Sequence, residues 1–315
     1  MTTNSALLTP VITLLSIIWL TLFVLPVSLV TLGVELSDRL RALVFQRKAS
    51  PAVFRNILIT GAATGIGREL ANAYAALETT DSLGLVDINE PGIEKTAQEL
   101  RTLFPKVQVV TYVADVSDPE AMQRLIQDFD SRKMDLVIAN AGVLIAPRDG
   151  VSQLTEHPDW GNDVRKTMQV NLLGVVNTVA PAVTQFKTRK SGHVVVTCSI
   201  SAFYGTPVLA SYSASKAAVF RFIRDLGSQL RKDGIYTTCV CPGFIDTALI
   251  QIDMYKSDKI PFLLSANQAT QMMVEGIACR EETIAFPFPS HLFCWLFNCT
   301  PPLVMNRIQR YLANK

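Results

Sequence analysis

Asn56-Ile57-Leu58-Ile59-Thr60-Gly61-Ala62-Ala63-Thr64-Gly65-Ile66-Gly67 is the stretch whose reading decides the fold. Its first five residues are apolar between polar ends and read as a short buried strand that runs straight into glycines. Arg68 to Leu77 follows with the composition and period of a helix. Strand, glycine turn and helix, in that order, make a dinucleotide phosphate site. Glycines at 61, 65 and 67 let the backbone turn tightly and approach a pyrophosphate, and the helix's first amides hold the anion. Thr64 and Ile66 lie within the same turn. A glycine pattern alone is weak; its place directly behind a strand makes it specific.

Outward from this unit, strands and helices alternate. Leu83–Asp87 reads as a second strand, Ile93–Leu103 as a helix and Val107–Ala114 as a third strand. Asp118-Pro119 supplies an N-cap and a first-turn proline for a helix reaching about Phe129. Asp135–Ala139 is the fourth strand, and residues 159–186 read as one long helix. A fifth strand, Val194–Ser199, precedes a helix opened by Tyr212; Tyr236–Cys241 and Glu282–Phe286 are the sixth and seventh strands. This alternation predicts an α/β fold, a single Rossmann-type domain with a doubly wound parallel sheet. Asp87 ends the second strand about 20 residues past the last glycine, where a carboxylate accepts from ribose hydroxyls and repels a 2′-phosphate.

Tyr212-Ser213-Ala214-Ser215-Lys216 carries the second signal. Residues four apart share a helix face, so the ammonium can sit beside the phenol and favour its ionised form, which suits Tyr212 to acid–base work. Ser199, at the end of a buried strand, is a fixed hydroxyl upstream, and Asn171 lies in the preceding long helix.

Together these motifs resemble the short-chain dehydrogenase/reductase family over roughly Arg55 to Pro289. The glycine turn, Asn140-Ala141-Gly142, the set Asn171, Ser199, Tyr212 and Lys216, and Pro242-Gly243 stand in the family's order. The resemblance implies that Tyr212 exchanges a proton with the substrate oxygen while hydride moves to or from a nicotinamide. Ser199 is then expected to orient that oxygen, Lys216 to bind the nicotinamide ribose and tune Tyr212, and Asn171 to hold a water leading to solvent. Asp115-Val116 resembles the family's adenine-contacting pair, though an acid at a strand end also serves as a cap. Thr247 either meets the carboxamide or caps the next helix. Thr64 and Ile88 stand where relatives that bind the extra phosphate carry basic groups, so NAD is expected rather than NADP. Homo-oligomers are common in the family.

The chain ends set the setting. Residues 6–34 carry no charge, and this apolar run exceeds the roughly 20 residues that cross a bilayer. It is too long for a signal peptide and lacks a basic start. Pro10 and Pro26 leave a span and a re-entrant hairpin both open. Arg39, Arg41, Arg47 and Lys48 follow it and no Lys or Arg precedes it, which puts the remainder in the cytosol. The expected organisation is a membrane anchor at 1–34, a linker at 35–54, a dinucleotide-binding catalytic domain at 55–289 and an amphipathic extension at 290–315. Net charge of +2 with dispersed basic residues excludes a nucleic-acid footprint. His157, His193 and His291 lack ligand spacing, and the six cysteines show no paired metal spacing, so no metal is expected. Cys198, Cys239 and Cys241 read as small buried residues.

Residues 146–150 and 157–160 read as a surface insertion near the substrate mouth, and apolar 248–266 as a helical lid over an apolar substrate or as core. Aromatics beside basic residues at 286–311 read as an interfacial membrane contact or as packing on the domain or on a second subunit. With the anchor and Val86–Asn89, the chain is most similar to the membrane- and lipid-droplet-associated hydroxysteroid/retinol dehydrogenase branch. That implies a sterol, retinoid or long-chain lipid as substrate, at the endoplasmic reticulum or lipid droplet. An NADPH-dependent keto-lipid reductase and a silent nucleotide-binding scaffold are the alternatives.

Overall fold

Strand β1 (Asn56–Thr60) is buried on both sides, and its alternate residues feed different cores. Ile57 and Ile59 join one apolar cluster, Leu58 the other. A strand with no wet face belongs in the middle of a covered sheet, and β1 has neighbours on both edges. The computed structural model describes residues 51–145, 155, 158–205, 209–247, 249, 262–298 and 307.

The elements run β1, α1 (Gly65–Ala75), β2 (Ser82–Asp87), α2 (Glu90–Leu103), β3 (Gln108–Val113), α3 (Pro119–Asp130), β4 (Leu136–Ala139) and α4 (Trp160–Met168). There follow α5 (Gly174–Arg189), β5 (Gly192–Thr197), α6 (Ala210–Leu230), β6 (Ile235–Pro242), β7 (Ile245–Asp246), β8 (Leu264–Ser265), α7 (Ala266–Ala278), β9 (Thr283–Phe286) and α8 (Phe288–Asn298). The main sheet has seven parallel strands in the order β3-β2-β1-β4-β5-β6-β9. Leu70 and Tyr74 of α1, Ile93 and Leu100 of α2, and Met273 and Ile277 of α7 pack on one face. Met122 and Phe129 of α3, Val179 and Phe186 of α5, and Val219 and Ile223 of α6 pack on the other. Each such side chain contributes about 1.5–3 kcal/mol by leaving water. The doubly wound parallel sheet expected from the alternation of elements is present, and residues 51–291 form one compact unit.

Chain order reverses across the sheet between β1 and β4, which opens a crevice beyond their carboxyl ends, where sheets of this kind bind ligands. Asp118 caps α3 as expected, accepting from the amides of Glu120 and Ala121, both at 3.0 Å.

Two expectations need correction. The long helix read over 159–186 is present from Trp160 to Arg189, but with a π-turn at Gln169–Leu173 between α4 and α5 that holds Asn171. The wider turn rotates Asn171 inward, where it is fully buried. In the apolar stretch 248–266, Leu264–Ser265 forms β8, paired with β7, and α7 starts at Ala266, so the expected helix is absent at 262–265. The rest of that segment, the insertion at 146–150 and the anchor at 1–34 lie outside the described residues. Among the described residues, no helix is long and apolar enough to cross a membrane.

Candidate active site

The residues expected to bind cofactor, and Ser199, expected to orient the substrate, lie at the carboxyl ends of successive strands, along one edge of the sheet. Gly61–Gly67 follows β1, Asp87 ends β2, Asp115-Val116 follows β3, Asn140–Gly142 follows β4, Ser199 lies just past β5, and Pro242-Gly243 closes β6. A parallel sheet gathers distant segments in this way, since all its strands point to the same edge.

The glycine turn is packed too tightly for side chains at Gly61 and Gly67. Gly61 and Gly65 have φ of +69° and +55°, which suit glycine. A Cβ on Gly67 would stand 2.0 Å from the Gly61 carbonyl oxygen. The turn is tied to β2, since the Gly61 amide donates to the Val86 carbonyl at 2.8 Å. Asp87 reinforces it by accepting from the Ala63 amide at 2.9 Å and the Asn89 amide at 2.9 Å. Thr64 caps α1 in an extended conformation and makes no side-chain hydrogen bond to the helix, so the first amides of α1 are left for an anion. Thr247 is brought to this turn, its methyl 3.4 Å from where a Gly65 Cβ would stand. Asp115 accepts from the Ser117 amide at 2.8 Å, a local cap, while Val116 is buried against α5 at Gly174.

Asn140 joins three strand ends. Its side-chain amide donates to the Thr60 carbonyl at 3.1 Å, and its Oδ1 accepts from the Thr197 hydroxyl at 3.1 Å. The amides of Asn140 and Ala141 both donate to Thr60 Oγ1, at 3.0 and 3.1 Å. These bonds tie the ends of β1, β4 and β5 together.

On α6, Tyr212 and Lys216 are buried one turn apart, with Lys216 Nζ 5.6 Å from the centre of the Tyr212 ring. Lys216 donates to the Thr197 carbonyl at 2.9 Å. Gly142 lies beside this ammonium and Asn171: a Cβ there would stand 3.5 Å from Lys216 Nζ and 3.2 Å from Asn171 Oδ1. Asn171 brackets the Val143 peptide, accepting from its amide at 2.8 Å and donating to its carbonyl at 2.9 Å. It also donates to Ser215 Oγ at 3.1 Å, and Ser215 donates to the Tyr212 carbonyl at 2.7 Å. Both Asn171 amide hydrogens are therefore engaged, so a water on it must be held by Oδ1 or by the main chain. The structure thus brings Asn171, Tyr212 and Lys216 into one network, with Ser199 beside them.

The electrostatics differ from the sequence expectation. Burial raises the Tyr212 phenol above its ordinary value; the neighbouring Ser199 hydroxyl works against this, and the thiols of Cys198 and Cys241 add to it. Burial also lowers the Lys216 ammonium, and the thiols of Cys198, Cys239 and Cys241 partly restore it. Desolvation thus outweighs the help that the ammonium was expected to give the phenolate.

Sequence reasoning passed over several residues at this site. Thr60, Thr197 and Ser215 carry its hydrogen bonds; their signal is a hydroxyl at a strand end or next to the lysine. Leu144 and Leu209 pack against Tyr212 and line its surroundings with hydrocarbon. Cys198, Cys239 and Cys241 are small and buried as read, but the pairing of β5 with β6 also brings their three sulfurs within 4.8 Å of one another.

A family model described as short chain dehydrogenase matches residues 55–255. Human 17-beta-hydroxysteroid dehydrogenase 13 is 31% identical over 264 residues, 80% of this chain and 82% of that protein. Estradiol 17-beta-dehydrogenase 11 of Rattus norvegicus is 30% identical over 264 residues, 82% of this chain and 84% of that protein. Among solved structures, a short chain dehydrogenase/reductase from Burkholderia phymatum in complex with NAD superposes with a TM-score of 0.63 at 25% identity, over 74% of this chain and 89% of that one. With its doubly wound sheet and glycine cradle, the chain belongs to the short-chain dehydrogenase family, in its hydroxysteroid dehydrogenase branch, and is an oxidoreductase acting on CH–OH groups.

Proposed function

We propose that this protein is a membrane-anchored enzyme that interconverts an alcohol and a ketone or aldehyde on a lipophilic substrate, a sterol, retinoid or long-chain lipid, with NAD(H) as preferred cofactor. The observation that carries the proposal is the burial of Tyr212 and Lys216 together at the carboxyl edge of the sheet, against the apolar side chains of Leu144 and Leu209.

The cradle fits a dinucleotide. Gly61 and Gly67 let the turn close on its own carbonyl and on Asn140 and Ala141, where a side chain would clash, and no side chain caps the first amides of α1, which leaves them to a pyrophosphate. Asp87 would accept from the adenosine ribose hydroxyls, and the exposed Ile88 beside it offers no cation for a 2′-phosphate. When bound, the nicotinamide supplies or accepts the hydride. Tyr212 gives a proton to the substrate oxygen in reduction and takes one in oxidation. Ser199 donates to that oxygen and holds it near the phenol. Lys216, fixed on the Thr197 carbonyl, keeps positive charge beside the phenol as the proton leaves. Asn171 positions the Val143 peptide, next to Gly142 and the lysine.

A lipophilic substrate accords with the hydroxysteroid and estradiol dehydrogenase names of two relatives. The uncharged run at 6–34 supports the anchor, and the basic residues that follow it support a cytosolic catalytic domain at the endoplasmic reticulum or lipid droplet.

The test is turnover of the detergent-solubilised full chain with a panel of lipid alcohols, each offered NAD or NADP, beside Tyr212→Phe. NAD-linked oxidation that disappears in Tyr212→Phe is the expected result. Equal rates in the two proteins would sink the acid–base assignment, and no turnover across the panel would favour a scaffold. Preference for NADP would remove Asp87 from its role and favour the keto-lipid reductase.

A further inference from the structure

Beneath α6, Cys198, Cys239 and Cys241 form a cluster that the proton and hydride chemistry does not use. β5 and β6 pair so that Val196 stands opposite Cys239, and the Cys198 amide continues the ladder by donating to the Val240 carbonyl at 2.6 Å. All three side chains thus point to the sheet face covered by α6. They are free thiols at 2%, 1% and 0% exposure. The Cys239 and Cys241 sulfurs are 3.8 Å apart, and all three lie within 4.8 Å of one another.

These spacings match a metal coordination shell. Ligands at the usual zinc–sulfur length of about 2.3 Å stand about 3.8 Å apart in tetrahedral geometry and about 4.0 Å apart in a trigonal plane. One pair already has this separation, and modest side-chain rotation brings in the third sulfur. We infer that Cys198, Cys239 and Cys241 form a three-thiolate binding site for a soft closed-shell metal ion such as Zn²⁺ or Cd²⁺. The all-sulfur donor set excludes hard ions such as Mg²⁺ and Ca²⁺, which need oxygen. Binding displaces three thiol protons, one for each metal–sulfur bond formed, with no change of oxidation state. One of those protons now serves the catalytic helix, since Cys198 Sγ donates to the Lys216 carbonyl at 3.1 Å. A bound ion would replace that link and place its own shell one residue from Ser199.

The test is titration of the reduced full-length protein with Cd²⁺ in a Cys279→Ser, Cys299→Ser background, followed by the thiolate-to-cadmium charge-transfer absorption. One equivalent bound per chain, lost in both Cys198→Ala and Cys239→Ala, is the expected result. Alanine nearly conserves the buried volume, and circular dichroism checks the fold of each variant. Cadmium NMR of the unsubstituted protein tests the site even if a variant unfolds: a resonance in the all-thiolate range supports it. A resonance in the oxygen or nitrogen range, no charge-transfer band, or a band unchanged by both substitutions would overturn it.

Discussion

His193 is the second residue of β5, the strand that leads to Ser199, and it makes the stability of the protein depend on acid in a defined way. Its ring is buried between Phe54 and Tyr236, with centroids 5.5 and 6.2 Å away, and Nε2 meets the Thr238 hydroxyl at 2.8 Å. Burial first, and the Arg280 cation second, push it from 6.5 down to about 3. The unfolded chain therefore takes up a proton at this ring from about pH 6.5 downward, whereas the folded chain does so only near pH 3. Acid favours the unfolded chain throughout that window, and the stability is fully present only above it. At pH 5, 1.5 units below the ordinary value, proton uptake by the unfolded chain is worth RT ln(1 + 10^1.5), about 2 kcal/mol, against about 0.2 kcal/mol at pH 7. Asp135 acts in the opposite sense, because burial raises its carboxyl and acid then favours the folded chain. Urea unfolding of the full chain and of His193→Gln at pH 7 and pH 5 separates the two, since Asp135 is common to both. The loss of stability between these pH values is expected to be about 2 kcal/mol larger with histidine than with glutamine. Equal losses would refute a neutral, buried imidazole at this position.

Other substitutions test the site directly. Tyr212→Phe should lower turnover about 10²–10⁴-fold and leave NADH binding, read by fluorescence, unchanged. Asp87→Ser removes the ribose acceptor and the charge that repels a 2′-phosphate; NAD affinity should fall about tenfold and the NAD/NADP preference narrow or invert, as isothermal titration would report. Gly67→Ala places a carbon 2.0 Å from the Gly61 carbonyl oxygen, so the turn must open, with a cost of about 1–3 kcal/mol in urea unfolding and loss of dinucleotide binding. Thr197→Val removes the hydroxyl that Asn140 accepts from but keeps the carbonyl that holds Lys216, so cofactor binding should weaken more than the Tyr212-dependent chemical step slows.

The legible and the hidden parts of this protein divide along one physical line. Strands β1 to β6 and the helices between them are readable because each is set by local periodicity and by glycine, proline or aspartate at its ends. A parallel sheet then turns chain order into geometry, since every strand end arrives at the same edge. That is why residues as far apart as Gly61 and Asn140 meet at one edge. What stayed hidden depends on lateral neighbours. The bond from the Asn140 side chain to Thr60 spans 80 residues and that from Asn171 to Ser215 spans 44, and no local pattern encodes either. The π-turn at 169–173 has no periodic signature, because its residues alone read as ordinary helix. At the end of the helix-like stretch 248–266, Leu264 and Ser265 pair with Ile245 and Asp246, an edge contact that overrides propensity at those two residues. The cysteines show the same effect most sharply: as spacings along the chain they exclude a metal motif, but the offset between β5 and β6 sets three sulfurs side by side. Spacing rules search for ligands on one loop or helix, whereas a sheet makes neighbours of residues on different strands. A donor set built across strands is therefore invisible to such rules, however regular its geometry.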